Sequence, residues 1–425
     1  MSFHLDRLNE PQANASGTLQ SIEPSLTVAG TSGADMLTGT AASEIVDGLA
    51  GNDTIRSGGG NDTLRGGSGD DFVFSGAGND AIDGGEGYDH LYYTDATAGV
   101  SINMATGSAT GGAGTDTITG IELVFGSPFA DTYVGNDAGV GFLGGDGNDT
   151  ITGGSGRDHL EGNGGDDTID GLGGVDVVAY YSAAFAVDVD LTAGRATGGL
   201  GTDTLRHVEE AVGSVFGDTL KGSSGDNRLD GSDGNDRLVS TAGNDTLDGG
   251  DGIDTAVYAQ ARSAYTLQRS AAGVFAIEKP DAAGSDALPH TERLQFSDMR
   301  LALDLEGHAG QTAKLLGAVF GPLAVANKVY AGIGLSLLDG GMAYAELAAL
   351  AVAAAGKTSH ADIVGLLWTN LFGTAPAPAD AAPYVAMLDG GMSVGALTVL
   401  AADSSVNTGN INLAGLVQTG LDYLV

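Results

Sequence analysis

Acidic residues recur every nine positions, at Asp35, Glu44, Asp53, Asp62, Asp71, Asp80 and Asp89, and an apolar residue follows each of them two positions later: Leu37, Val46, Ile55, Leu64, Val73, Ile82 and Leu91. The same phase returns at Asp131, Asp149, Asp158, Asp167 and Asp176, and again at Asp218, Asp236, Asp245 and Asp254. Between Gly48 and Tyr92 the units run without interruption, as in GLAGNDTIR, SGGGNDTLR and GGSGDDFVF. Each reads as a Gly-rich turn followed by a three-residue strand. Glycines at the first, second and fourth positions permit positive φ and close backbone approach, so carbonyls converge beside the sixth-position acid. The eighth residue faces inward, and such units stack as a solenoid.

With two units per turn, residues i and i+18 lie on the same edge, about 4.8 Å apart. Two carboxylates at ~5 Å and an effective dielectric of ~20 repel by about 3 kcal/mol, so the bare coil is self-repelling along both edges. Ca²⁺, which takes six to eight oxygen ligands in flexible geometry, suits a cage of carboxylates and backbone carbonyls better than Mg²⁺ does. The expected ligands are Asp35, Asp53, Asp62, Asp71, Asp80, Asp89, Asp131, Asp149, Asp158, Asp167, Asp176, Asp218, Asp236, Asp245 and Asp254. Glu44 is longer, Val140 has no ligand atom and Asn227 lacks the charge. Sites at 44/62, 140/158 and 227/245 are therefore expected to be weak or empty while the coil continues through them.

Composition agrees with this reading. Lys plus Arg number 17 against 55 Asp plus Glu, a formal charge of −38, which opposes nucleic acid or anionic lipid as partner and favours multivalent cations. The 72 glycines fall at fixed phase in a chain that is 42% hydrophobic, unlike an acidic disordered tail. With no cysteine, neither a disulfide framework nor a thiolate metal site is available. The first residues, MSFHLDRLNEPQANASG, lack the apolar core of a cleaved secretory signal, and no 18-residue apolar run occurs. Export, if it occurs, is expected by another route.

A longer repeat overlies the short one: residues 92–133 match 180–220, with Asp116 and Asp131 recurring at Asp203 and Asp218. Alternating stretches such as Val187, Val189, Leu191 read as inserted strands, and the role of Asp116 and Asp203 in ligation stays open. Residues 259–306 read as a strand-rich cap with a hairpin around Gly273. From 307 the chain turns Ala- and Leu-rich and repeats again, LLDGGMAYAELAALAVAA against MLDGGMSVGALTVLAADS, a pattern of helix, Gly-Gly break and helix. Catalytic signatures are missing: there is no His-Glu-x-x-His and no Gly-x-Ser-x-Gly, and the G-x-G-x-x-G at Gly139–Gly144 is a degenerate repeat without a following helix. His90 and His159 fall at outward, solvated positions of the unit.

The nonapeptides of residues 30–258 closely resemble those of the RTX family, whose Gly-Gly-x-Gly-x-Asp-x-apolar-x repeat builds a calcium-binding parallel β-roll. The resemblance implies export by a type I secretion exporter through an uncleaved C-terminal signal and folding on extracellular calcium. Asp422-Tyr423-Leu424-Val425 resembles the end of such a signal. The last block resembles a helical domain of unknown function found in secreted RTX and surface-layer proteins, although GPLAV and GTAPAPAD replace its usual Arg-x-Pro-Asp. The expected fold is mainly β, a parallel β-roll with a strand-rich cap and a C-terminal all-α domain. Its blocks are a flexible segment 1–29, β-roll blocks 30–92, 93–179 and 180–258, the cap 259–306 and a helical domain 307–425. The expected function is an extracellular calcium-binding structural protein of the bacterial surface or matrix, of surface-layer, adhesin or biofilm type, self-assembling or holding a cell-surface glycan through its helical domain. An RTX accessory or partner-binding protein is the alternative, and an RTX enzyme without a recognisable catalytic head is a lesser one.

Overall fold

The eighth-position side chains supply the interior. In the computed structural model, which describes residues 26–199 and 201–424, Val46, Ile55, Leu64, Val73, Ile82, Leu91, Ile151, Leu160, Ile169, Leu220, Leu238 and Leu247 are all buried. Flanking Thr, Ile and Val residues favour the extended backbone on which these positions sit. The chain divides into two compact units, residues up to Thr132 and residues from Tyr133 onward, a division that falls inside the expected second block. Each unit contains strands of two mostly parallel sheets.

In the first unit, one sheet runs through Leu26–Ala29, Glu44–Ala50, Thr63–Ser68 and Ala81–Glu86, with Val46 opposite Leu64 and Leu64 opposite Ile82. The other runs through Met36–Thr38, Thr54–Arg56, Phe72–Phe74, His90–Tyr92 and Leu123–Phe125, with Ile55 opposite Val73 and Val73 opposite Leu91. Adjacent nonapeptides thus alternate between sheets, and partners stand 18 residues apart. Strand structure begins at Leu26, four residues before the expected boundary at 30; residues 1–25, the rest of the segment expected to be flexible, lie outside the described residues.

The larger repeat is an antiparallel detour. Val100–Asn103, Ser108–Gly111 and Gly114–Thr119 form a meander whose last strand rejoins Ala81–Glu86 in parallel, Ile118 opposite Ile82. In the second unit Val187–Asp190, Arg195–Gly198 and Gly201–Arg206 do the same, with Leu205 opposite Ile169. The rejoining register is 36, twice 18, so the inward apolar position is kept.

The segment read as a cap forms its hairpin: Thr266–Arg269 pairs with Phe275–Glu278, which pairs with Ser285–Leu288. That last strand lies parallel to Thr246–Asp248, and Arg293–Gln295 lies parallel to Thr255–Val257. Helices α1 (His308–Phe320), α2 (Lys328–Asp339), α3 (Tyr344–Ala354), α4 (His360–Phe372), α5 (Pro378–Asp389), α6 (Val394–Ala402), α7 (Ser405–Asn410) and α8 (Leu413–Thr419) follow. Both Gly-Gly breaks end a helix as expected, with positive φ at Gly341 after α2 and at Gly391 after α5. No described helix is long and apolar enough to cross a membrane. The C-terminal residues return to the sheet: Leu421–Tyr423 pairs antiparallel with Arg300–Ala302, burying Leu421 and Tyr423, and Asp422 lies 3.3 Å from Lys328. The segment expected to act as an export signal is therefore also a strand of the fold; Val425 lies outside the described residues.

Candidate metal centre

Each sixth-position residue stands at a sheet edge, where its backbone N–H meets the carboxylate of the next turn. Asp35 N–H donates to Asp53 Oδ1 at 2.7 Å, Asp53 to Asp71 at 2.7 Å and Asp71 to Asp89 at 2.8 Å. On the opposite edge Glu44 donates to Asp62 at 2.7 Å and Asp62 to Asp80 at 2.8 Å. The second unit repeats the pattern from Val140 to Asp158 to Asp176, from Asp149 to Asp167, and from Asp218 to Asp236 to Asp254. One oxygen of each carboxylate is thereby held by the backbone. The fate of the other separates the row into two classes.

Oδ2 of Asp53, Asp62, Asp71, Asp80, Asp89, Asp167, Asp176, Asp236 and Asp254 is buried and accepts no hydrogen bond. A buried anionic oxygen without a partner is costly, and burial accordingly raises the pKa of each of these acids, with neighbouring carboxylates adding to the effect. Beside these oxygens lie backbone carbonyls. A Cβ built on Gly48 would fall against both Asp53 Oδ2 and the Gly66 carbonyl. Gly66 stands in the same relation to Asp71 and Gly84, Gly84 to Asp89 and Gly120, and Gly231 to Asp236 and Gly249. First-position glycine thus leaves open a space lined by a carboxylate oxygen and a carbonyl from the next turn. Among the described residues no three His, Asp or Glu side chains converge on a metal position, so the available donor set is carboxylates plus carbonyls. That all-oxygen set is the kind calcium accepts.

Other members of the row have their second oxygen engaged. Thr31 caps Asp35, Ser127 caps Asp131 and Ser214 caps Asp218, each through both N–H and hydroxyl; Gly154 N–H reaches Asp158 Oδ2 at 2.7 Å; and Lys279 Nζ lies 3.0 Å from Asp245 Oδ2. Asp149 is buried, and its N–H donates to Asp167. At the weak positions Glu44 accepts from Thr40, Val140 contributes only its N–H, and the Asn227 amide satisfies itself between Ser223 N–H and the Glu209 carbonyl.

The residue four positions before each acid separates the classes. Leu49, Gly58, Gly67, Gly76, Gly85, Asn163, Leu172, Ser232 and Gly250, which precede the nine open carboxylates, all have positive φ. Thr31, Ser127, Gly154, Ser214 and Thr241, which precede engaged ones, do not. At Thr31, Ser127, Gly154 and Ser214 the N–H turns toward the carboxylate and closes it, whereas Asp245, preceded by Thr241, is closed by Lys279. Leu49 and Leu172 hold left-handed conformations that a bulky side chain adopts at a cost of order 1–3 kcal/mol.

Among the acids that end each row, sequence spacing missed Glu122, Glu209, Asp286 and Glu292 and left the role of Asp116 and Asp203 open. Asp89 N–H donates to Glu122 at 2.8 Å, Asp176 to Glu209 at 3.0 Å and Asp254 to Glu292 at 3.0 Å. Asp80 donates to Asp116, Asp167 to Asp203 and Asp245 to Asp286. Asp116, Asp203 and Asp286 are each closed by a buried tyrosine hydroxyl, from Tyr93, Tyr180 and Tyr258. Asp116 and Asp203, whose role was left open, both continue the row of carboxylates, with their second oxygens held by tyrosine. The cap carries a third copy of the same terminator, DTITGIE, DTLRHVE and DALPHTE at 116–122, 203–209 and 286–292. The signal was the rule of an acid followed two positions later by an inward apolar residue, here Ile118, Val124, Leu205, Ala211, Leu288 and Leu294.

Paired rows of open, buried carboxylates facing carbonyls define a metal-competent repeat protein. Residues 27–55, 56–91, 143–178, 212–247 and 221–256 match the family profile of the RTX calcium-binding nonapeptide repeat (4 copies). Repeats of this family bind calcium ions. The matched segments hold every expected ligand except Asp131. No curated protein matches this chain.

Proposed function

We propose that the protein is an extracellular calcium-binding structural component of the bacterial surface or matrix, of surface-layer, adhesin or biofilm type. In this reading it is exported unfolded by a type I exporter and folds on meeting calcium, its nonapeptides forming a parallel β-roll capped by strands and followed by an all-α domain. The observation that carries it is the set of nine buried Oδ2 atoms without hydrogen-bond partners, aligned along sheet edges. Fourteen of the fifteen expected ligands fall into two groups, and Asp149, the fifteenth, is buried with its N–H on Asp167. Asp53, Asp62, Asp71, Asp80, Asp89, Asp167, Asp176, Asp236 and Asp254 are the open ones, whereas Asp35, Asp131, Asp158, Asp218 and Asp245 already have a second partner. Calcium bound at the open positions supplies positive charge and vacant coordination for carboxylate and carbonyl oxygens. The chain supplies a scaffold whose edges are self-repelling until that charge arrives, which couples metal binding to folding.

Circular dichroism of the metal-stripped chain, titrated with calcium, tests this. A steep gain of β signal is expected, with midpoint in the range of roughly 10⁻⁴ to 10⁻³ M typical of extracellular modules. A full β signal in EGTA contradicts it.

One observation favours the alternative of a partner-binding accessory protein. The helical repeat builds two apolar clefts, of about 190 and 160 Å³, lined by equivalent residues: Leu347, Leu350 and Ala351 in one, Leu397, Leu400 and Ala401 in the other. Electron microscopy after calcium addition separates the readings, since sheets or filaments support the structural role and a monodisperse particle supports the accessory one.

A further inference from the structure

We propose that Lys279 is a resident counter-ion occupying, in place of a divalent cation, the position between Asp245 and Asp286, so that the row Asn227–Asp245–Asp286 closes without calcium. The proposal rests on the calcium reading of the other rows. Asp245 shares the burial and register of an open ligand, although Thr241 before it lacks their positive φ: it is buried, it precedes inward Leu247, and its N–H donates to the carboxylate of the next turn, Asp286 Oδ1, at 3.1 Å. Yet its Oδ2 is filled. The Lys279 ammonium bonds Asp245 Oδ2 at 3.0 Å, the Thr241 carbonyl at 2.8 Å and Asp286 Oδ1. Three donors meet three acceptors, one carbonyl and two carboxylates, which is the donor chemistry found at the open sites.

The Lys279 side chain is 4% exposed, and those of Asp245 and Asp286 are 2% and 0% exposed. A solvated surface pair does not look like this. The two sister positions, Asp80 with Asp116 and Asp167 with Asp203, have the same tyrosine, but among the described residues no lysine or arginine pairs with them, and there Asp80 and Asp167 keep open Oδ2 atoms. The third copy differs in length: tyrosine and acid are 28 residues apart, against 23 in the first two. Its added chain contains Lys279 and the Pro280–Ala282 turn, in which Asp281 and Ala282 have positive φ. The preceding member of the row is neutral as well, because Asn227 donates its amide to the Glu209 carbonyl where an aspartate has nothing to donate. Asn227 and Lys279 are independent substitutions with one effect, removal of the divalent requirement from a single edge.

The test uses the full chain in three forms, unaltered, Lys279→Gln and Lys279→Gln/Asp286→Asn. Bound calcium is counted by native mass spectrometry, and hydrogen exchange is followed at Thr246–Asp248 and Ser285–Leu288. In EGTA, the unaltered chain should keep these strands protected while Thr54–Arg56 and Phe72–Phe74 exchange. Lys279→Gln should lose that protection, regain it with calcium and carry one additional ion. The double variant, with one carboxylate fewer, should carry no additional ion. Protection of Lys279→Gln in EGTA, or its failure either to bind the extra ion or to refold in calcium, overturns the proposal. If Thr54–Arg56 and Phe72–Phe74 of the unaltered chain stay protected in EGTA, the calcium reading itself fails, which is a different result.

Discussion

Burial holds the pKa of Asp80, Asp236 and Asp254 up to about 7 and that of Asp89, Asp167 and Asp176 up to about 6, from an ordinary 3.8, with adjacent carboxylates adding to the rise and backbone N–H donors opposing it. The folded, metal-free chain therefore binds more protons than the unfolded chain between about pH 4 and 7, and its stability falls as pH rises through that window. A metal ligand must be ionised, so calcium affinity moves the other way and weakens as pH falls below about 7. The metal-free chain should show more β signal at pH 5 than at pH 8, and the calcium midpoint should rise at pH 5. Circular dichroism at the two pH values checks both, and equal metal-free signals contradict the argument. The ordinary-looking Asn227 shows the other solution to the same problem, since an amide carries its own donor and needs no cation.

Many nonapeptide strands are three residues long with one buried residue at the centre, whereas the junction to the helices depends on a polar cluster. Arg293, on the strand Arg293–Gln295, has a side chain only 3% exposed; its guanidinium bonds Asp304 and, at 2.8 Å, Asp339 at the end of α2. His308 of α1 reaches the same Asp339 carboxylate at 2.8 Å. Removing one partner of a buried ion cluster leaves the others uncompensated, at about 3–5 kcal/mol. Arg293→Ala should lower stability by that amount in saturating calcium, read from denaturant unfolding. A loss below about 1 kcal/mol, the range of a surface pair, contradicts the structural reading of this cluster.

Across the whole molecule a formal charge of −38 opposes compaction, but exposed and buried acids respond differently to salt. Monovalent ions screen exposed charges, with a Debye length near ~3 Å at ~1 M. They do not supply a partner for an oxygen sealed inside a turn. Sodium chloride at ~1 M in EGTA should therefore leave the nonapeptide strands largely unformed, and millimolar calcium at low salt should form them. Full restoration by sodium chloride in circular dichroism contradicts the view that buried rows, more than overall charge, control folding.

The nine-residue phase determined by itself the strand positions, the inward side chains, the 18-residue register and the acids that line the edges, because a period-two strand and a glycine turn are both local matters of backbone freedom. The Gly-Gly helix breaks were legible for the same reason. Tertiary structure alone decided which carboxylates are open. The sign of φ before each acid follows only partly from residue type, since Gly154 closes its site while Leu49, Leu172 and Ser232 open theirs. Tyr93, Tyr180, Tyr258 and Lys279 act on acids 7 to 34 residues away in sequence, at separations no repeat period announces, so their partners became visible only when the turns stacked.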